Sequence, residues 1–216
     1  MREIIKVVKE KLVAKYLKDG SIKNYSKRVK KFKPRIKARL RKNKQIIGKN
    51  IGNFFDWIKG AELVELKECN TKEDPVRPEL DNTFRRSYGR KIFGVKYKRE
   101  IHAVMCFAYT NEIPKSVEEL DIMSQDAHLQ STLRGQNVGK IAIAYTVWSK
   151  KKGGGKLIVK EVFNKIKKSN HLNRLVTLSP LTDMAYKFHI KNGAKLISVN
   201  ETTQNFEYKV IKNKKY

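Results

Sequence analysis

Residues 140–168, KIAIAYTVWSKKKGGGKLIVKEVFNKIKK, limit what this chain can fold into more than any other segment. The run 140–148 is apolar, with β-branched and aromatic residues, and reads as a buried strand. Leu157 to Lys168 repeats apolar residues at helical spacing and reads as a helix. Between them lie three lysines, three consecutive glycines and a fourth lysine. Glycine loses more backbone freedom on folding than any other residue, so three in a row need a reason. A glycine turn from strand to helix presents bare N–H groups at the positive end of the helix dipole. With no Cβ atoms in the way, a phosphate can approach those groups closely. Gly153, Gly154, Gly155 and Lys156, with Lys150 ahead of them, are therefore the expected seat of a pyrophosphate.

The flanking pattern extends this unit to a domain. ELVELKE (62–68) fits a strand or a helical turn, and 69–83, with Pro75 and Pro78, reads as a loop. RKIFGVKYK (90–98) and IHAVMCFAYT (101–110) read as an antiparallel hairpin. Residues 111–139 read as a long polar excursion, with Glu118, Glu119, Asp121 and Asp126 on a solvated loop. RLVTLS (174–179) is a further strand, 182–191 a short helix, and 192–200 with 205–211 a closing hairpin. The expected class is α/β (α+β): a mixed, mostly antiparallel central sheet flanked by helices.

Charge divides the chain. Residues 1–50 hold 19 Lys and Arg against three acids, out of a net +28 for all 216 residues. Ile5, Val8, Leu12 and Tyr16 mark one amphipathic helix, with Gly20 as its stop; Tyr25, Val29, Phe32, Ile36 and Leu40 mark a second, broken near Pro34. The expected domains are a basic helical arm (1–50) and a folded domain (51–216), with a packed helix around Phe54, Phe55, Trp57 and Ile58. An arm of this kind suits nucleic acid or an acidic protein partner. Cys69 and Cys106 lack metal-like spacing and read as free thiols of a reducing compartment. His102, His128 and His171 likewise lack metal spacing, and Trp148 reads as a packing residue. No apolar run is long enough for a membrane span, and the N-terminus lacks a signal-peptide core. The expected location is the cytoplasm, or the host cytoplasm or virion for a viral chain.

The phosphate ligand can be narrowed by spacing. GGGKL does not supply the Walker pattern, and the dinucleotide fingerprint fails too. Lys150, Gly153 and Gly155 do fit the R/Q-x-x-G-x-G/A word, with lysine in the first place. In this strand-to-helix context the segment resembles the acyl-CoA signature of the GCN5-related N-acetyltransferase (GNAT) superfamily. Downstream, Ala185, His189 and Gly193 fall at the spacing of that superfamily's A-x-x-x-Y-x-x-x-G helix. The resemblance therefore puts His189 where a tyrosine protonates the departing thiolate, work that an imidazole can do. It implies acetyl-CoA or another acyl-CoA as the bound thioester. Strand residues Ala144, Tyr145 and Val147 would meet the pantetheine through their backbone.

Two further words are still more similar to malonyl-CoA decarboxylase. Thr177-Leu178-Ser179-Pro180 and Phe188-His189-Ile190-Lys191-Asn192-Gly193-Ala194 match its T/S-L-S-P and F-H-x-x-N-G-A segments. That resemblance implies catalytic roles for Ser179 and His189. In that family a long helical insertion separates the two words, whereas here nine residues lie between Ser179 and His189. The resemblances imply an acyl-CoA-dependent acyltransferase acting on an amine, with a malonyl-CoA decarboxylase-like enzyme as alternative. A non-catalytic protein of the same fold, binding nucleic acid or an assembly partner through its arm, is the third.

Overall fold

The structure is a computed structural model, and it describes residues 56–135 and 138–209. The arm helices expected in residues 1–50, Phe54, Phe55 and the last residues of the 205–211 run lie outside the described residues. Residues 56–60 are helical.

Seven strands form one sheet: β1 (Glu62–Leu66), β2 (Lys91–Tyr97), β3 (Glu100–Thr110), β4 (Ile141–Ser149), β5 (Arg174–Pro180), β6 (Lys195–Val199) and β7 (Thr203–Tyr208). Their order is β1-β2-β3-β4-β5-β7-β6. Only the β4–β5 pair is parallel among those described. ELVELKE resolves as a strand because its backbone pairs with β2 in an antiparallel ladder from Glu62↔Lys96 to Leu66↔Ile92. The helices are α1 (Asn82–Arg86), α2 (Val117–Arg134), α3 (Gly154–Lys168) and α4 (Asp183–Lys191).

Strand alternation sorts the core into two layers. Ile92, Val104, Cys106, Ile143, Tyr145 and Leu178 face the side that receives Leu120 of α2 and Phe84 of α1. The alternate residues face α3, which buries Leu157, Ile158, Val159, Val162 and Ile166. Each such side chain contributes about 1.5–3 kcal/mol on burial.

The polar excursion expected at 111–139 is, over most of its length, the 18-residue helix α2. Ser116 caps it by accepting from the Glu119 N–H at 3.2 Å, and Glu119 Oε2 accepts from the Lys115 N–H at 2.7 Å. Gly135 ends it with φ 63°. The helix escaped notice because its buried stripe is Leu120, Ser124 and Ala127, while Ile122, Leu129 and Leu133 are exposed. Small and polar residues on the buried face erase the apolar periodicity. The Ser-x-x-Glu capping box was the readable sign.

The sheet parts at the middle. Opposite β3, Cys106 pairs with Thr146 and Phe107 with Ala144, so Tyr145 is one residue too many in β4. This bulge bends β4. The β4–β5 ladder runs from Ile141↔Arg174 to Ala144↔Thr177, and beyond it the two strands diverge.

Candidate active site

The divergence makes a cleft of about 310 Å³. Its floor is β4 and β5, and its sides are the first turn of α3 and the inner face of α4. Ala144, Tyr145, Val147, Lys150, Gly155, Ser179 and His189 all line it. Gly153, Gly154 and Lys156 lie at its edge in sequence but not on its wall.

Each glycine of the turn has its own work. Gly153 is the N-cap of α3 with φ 86°, a left-handed conformation that costs other residues energy. A Cβ on Gly154 would sit 3.1 Å from the Ser149 Cβ and 3.4 Å from the Ala103 Cβ. A Cβ on Gly155 would sit 3.1 Å from the Phe188 ring. The glycines thus let α3 start close against β3, β4 and α4. The Gly154 N–H donates to Lys151 O at 2.9 Å, and Leu157 makes the first intrahelical bond, to Gly153 O. The amides of Gly155 and Lys156 fall between these two and head into the helix end. Lys150 forms an ion pair with Glu73 at 2.7 Å, and that hydrogen bond holds the Glu73 carboxyl below its ordinary pKa.

The opposite end of the cleft is dry. Ser179 closes β5, and Thr182 caps α4 by accepting from the Ala185 N–H at 3.3 Å. That cap starts a helix whose second turn returns His189 to Ser179: Oγ to Nε2 is 2.8 Å. The other imidazole nitrogen, Nδ1, is 2.9 Å from the Tyr208 hydroxyl on β7. His189 also stacks on Phe206 with ring centroids 4.8 Å apart. Ser179, His189 and Tyr208 are 5%, 4% and 5% exposed. Burial pushes the His189 pKa down to about 4 and the Tyr208 hydroxyl up. Near neutral pH the imidazole is uncharged and the phenol keeps its proton.

Ser179 orders the hydrogen bonds. A neutral phenol can donate or accept, but with Ser179 O–H given to Thr177 Oγ1 the serine oxygen is left to accept from Nε2–H, so Tyr208 O–H gives its hydrogen bond to Nδ1. The imidazole proton then sits on Nε2 and points to Ser179. Ser179 O–H donates to Thr177 Oγ1 at 3.1 Å, which also accepts the Phe206 N–H at 3.3 Å. The chain from Tyr208 through His189 and Ser179 to Thr177 runs in one direction.

A strap ties the two ends together. Pro75 and Val76 line the cleft from the loop 69–81. Asp74 anchors that loop: it accepts from the N–H groups of Val76 (2.9 Å) and Arg77 (3.2 Å), from Arg85 Nη2 (2.8 Å), and from Thr146 on β4 (2.8 Å). Arg85 is itself fully buried, held also by the Arg77 carbonyl and by Cys106 Sγ at 3.3 Å. Arg77 spans the parted strands, with Nε donating to Tyr145 O at 3.0 Å and Nη2 to Leu178 O at 3.4 Å. These carbonyls would otherwise lose their partners where the ladder ends.

The fold has parallels among solved structures. The GphF GNAT-like decarboxylase, solved with isobutyryl-CoA, is 9% identical and superposes with a TM-score of 0.55 over 69% of this chain and 100% of that one. The fold is GNAT-like. A Bacillus subtilis acetyltransferase solved with CoA is 12% identical, with a TM-score of 0.48 over 70% of this chain and 98% of its own. Malonyl-CoA decarboxylase from Agrobacterium vitis is 17% identical, with a TM-score of 0.47 over 63% of this chain. The chain spans only 38% of the length of that decarboxylase and 34% of one from Cupriavidus metallidurans. No family model matches the sequence, and no curated protein matches it.

Sequence reasoning singled out Ser179 and His189, which the structure brings to 2.8 Å, and gave no sign of Tyr208, Glu73 or the strap. Tyr208 alternates with Phe206 on β7, which marks it as inward-facing and nothing more. Arg77 sits between Pro75 and Pro78, a composition that reads as exposed loop, yet it is 8% exposed. Glu118, Glu119, Asp121 and Asp126 lie on α2; Asp121 is ion-paired with Arg90. Trp148 is buried under Arg85, 5.4 Å from ring centroid to guanidinium carbon. Among the described residues no three His, Cys, Asp or Glu side chains are grouped to hold a metal, and no helix is long and apolar enough to cross a membrane.

Proposed function

We propose that this chain is an acyl-CoA-using enzyme that removes CO2 from a malonyl-type thioester. The observation that carries the proposal is the 2.8 Å contact between Ser179 and a buried, uncharged His189 at the closed end of the cleft. The two residues come from the two sequence words that resemble malonyl-CoA decarboxylase.

The thioester would enter with its pyrophosphate at Gly155, Lys156 and Lys150. The pantetheine arm would lie along the open edge of β4, where Arg77 already takes Tyr145 O. Val147, two residues on, presents its N–H and C=O to the same edge. The acyl group then reaches Ser179 and His189. A carboxylate carried into this dry end is destabilised by desolvation, while neutral CO2 is not. The C–C bond to the carboxylate breaks, CO2 leaves, and the electron pair stays on the α-carbon and thioester oxygen. The Nε2 proton of His189 goes to the carbon as Nδ1 takes the proton of Tyr208, so the imidazole never carries charge. Solvent then returns a proton to Nε2 as Nδ1 gives its proton back to the phenolate, which restores the starting tautomer.

A pKa of about 4 makes the imidazole a weak base toward an amine, so in acyl transfer its part would be the one the resemblance implies, protonating the departing thiolate. Acyl transfer to an amine is the second proposal. It is favoured by Ala185 and His189 lining the cleft together at the spacing of the acetyltransferase helix. Incubation with malonyl-CoA decides between them: CO2 and acetyl-CoA are expected, lost in His189→Gln. Acyl transfer from acetyl-CoA to an amine panel, with no CO2 release, would overturn the first proposal in favour of the second. No thermal stabilisation by CoA or acetyl-CoA at millimolar concentration overturns both.

A further inference from the structure

We infer that the outer face of α3 is a binding surface for the phosphate backbone of a single-stranded nucleic acid, meeting the mouth of the cleft only at Lys156. The described residues carry 27 Lys and Arg and 18 Asp and Glu. Residues 150–168 alone hold eight lysines against Glu161. Most of the net charge of the described residues therefore sits on one turn and one helix. The other side of the sheet carries the opposite sign, since α2 has Glu118, Glu119, Asp121 and Asp126 against Arg134. A lysine-rich composition alone would spread its charge over both sides.

Placement on the helix makes this a stripe. Lys156, Lys160 and Lys167 fall within about 40° of one another around the axis and span about 16 Å along it. All three are exposed, whereas Ile158, Val162 and Ile166 are buried against the sheet. Lys168 adds an exposed cation at the C-terminal end, about 100° around the axis from the stripe. Among the described residues, none of these four lysines is ion-paired with a carboxylate. Aromatic rings lie among the cations: Lys167 is 5.7 Å from the Phe163 ring, and Lys98 and Lys151 are 5.3 and 4.8 Å from Tyr97.

That combination selects a partner. Lysine meets phosphate as a point charge, and phosphate contacts carry no base identity, so binding is sequence-tolerant. Interleaved aromatic rings suit unpaired bases, which a duplex does not offer. A protein partner would want an apolar anchor at the centre of the patch, and this stripe has only the half-buried Phe163. A membrane surface would want the helix's apolar face, and that face is spent on the sheet.

The test uses the full chain and a fluorescein-labelled single strand of about 20 nucleotides, read by anisotropy across a salt series. K160Q/K167Q/K168Q is expected to weaken binding at least about tenfold near physiological salt and to flatten the log–log salt slope by about 2. K67Q/K115Q/K195Q removes the same charge from other exposed positions and is expected to hold affinity within about twofold. Melting temperatures check that both variants fold. Should the first not fold, K160Q alone is read for a slope change of about 0.7. An unchanged affinity and slope in the α3 variant overturns the inference, and so does an equal loss in both triples. Binding to phosphatidylserine vesicles without binding to the oligonucleotide overturns it as well.

Discussion

The two ends of the cleft are built on opposite principles. At the mouth, Lys150 and Glu73 are charged, solvated and paired at 2.7 Å. At the closed end, Ser179, His189 and Tyr208 are uncharged and buried, and hydrogen bonds and the Phe206 ring order them. Some 1.4 kcal/mol buys a tenfold change at either end, but its source differs. Salt and counter-ions tune the mouth, while desolvation tunes the interior. A ligand with phosphates at one end and a reacting thioester at the other would match both.

The largest test removes the dry end's proton carrier. His189→Gln is expected to lower turnover by about 10²–10⁴-fold while CoA still raises the melting temperature. A variant that keeps its rate ends the distinction between the two ends.

Next comes the strap that spans them. Asp74 and Arg85 are fully buried and meet at 2.8 Å. Removing one partner leaves a buried charge alone, so Asp74→Ala is expected to cost about 3–5 kcal/mol in denaturant unfolding. A loss below about 1 kcal/mol would place the strap outside the folding unit.

Proton linkage gives a slightly smaller effect. The His189 pKa falls from 6.5 to about 4 on folding. Between those values the unfolded chain binds more protons, so stability rises with pH there. About 3 kcal/mol is expected to be lost as pH falls from about 6.5 to about 4, with no further loss from this group below. His189→Gln should remove that part of the profile. An identical pH profile in variant and parent would show that the imidazole is not held dry.

The smallest effect belongs to the mouth. Glu73 holds the lysine that a phosphate would need, so Glu73→Gln is expected to tighten CoA binding a few-fold at low salt, with the gain fading by about 0.5 M. Calorimetry at two salt concentrations reads it. Weaker binding in the variant would mean that Glu73 orients Lys150 instead of competing for it.

The same contrast explains what could be read from the sequence. Strand β4, the glycine turn and helix α3 were legible because apolar spacing and glycine are local signals. Ser179 and His189 were legible through their words, and the structure brings them into contact. The strap was not legible. Nothing local to Asp74 or Arg77 says that a proline-flanked loop will supply buried charges to carbonyls 68 and 101 residues away. Nor does Tyr208 announce a partner 19 residues earlier. Helix α2 was missed for another reason, since its buried stripe includes a serine and an alanine. The glycines were legible as a requirement for closeness; what comes close to Gly154 and Gly155 is Ser149, Ala103 and Phe188 of the chain itself.

The bulge at Tyr145 has a consequence for how such a cleft could arise. Because β4 carries one residue more than β3 opposes, Tyr145 and Thr146 both face the α1 and α2 layer. Remove that single codon and Thr146 follows Ala144 in regular alternation, so Thr146 to Ser149 keep their sides and their partners on β3. What is lost is the bulge itself: the Tyr145 ring leaves the core, and β4 has no bend to part it from β5. The gap between a continuous sheet and one with a site is then one inserted amino acid, a step a lineage can take in a single mutation.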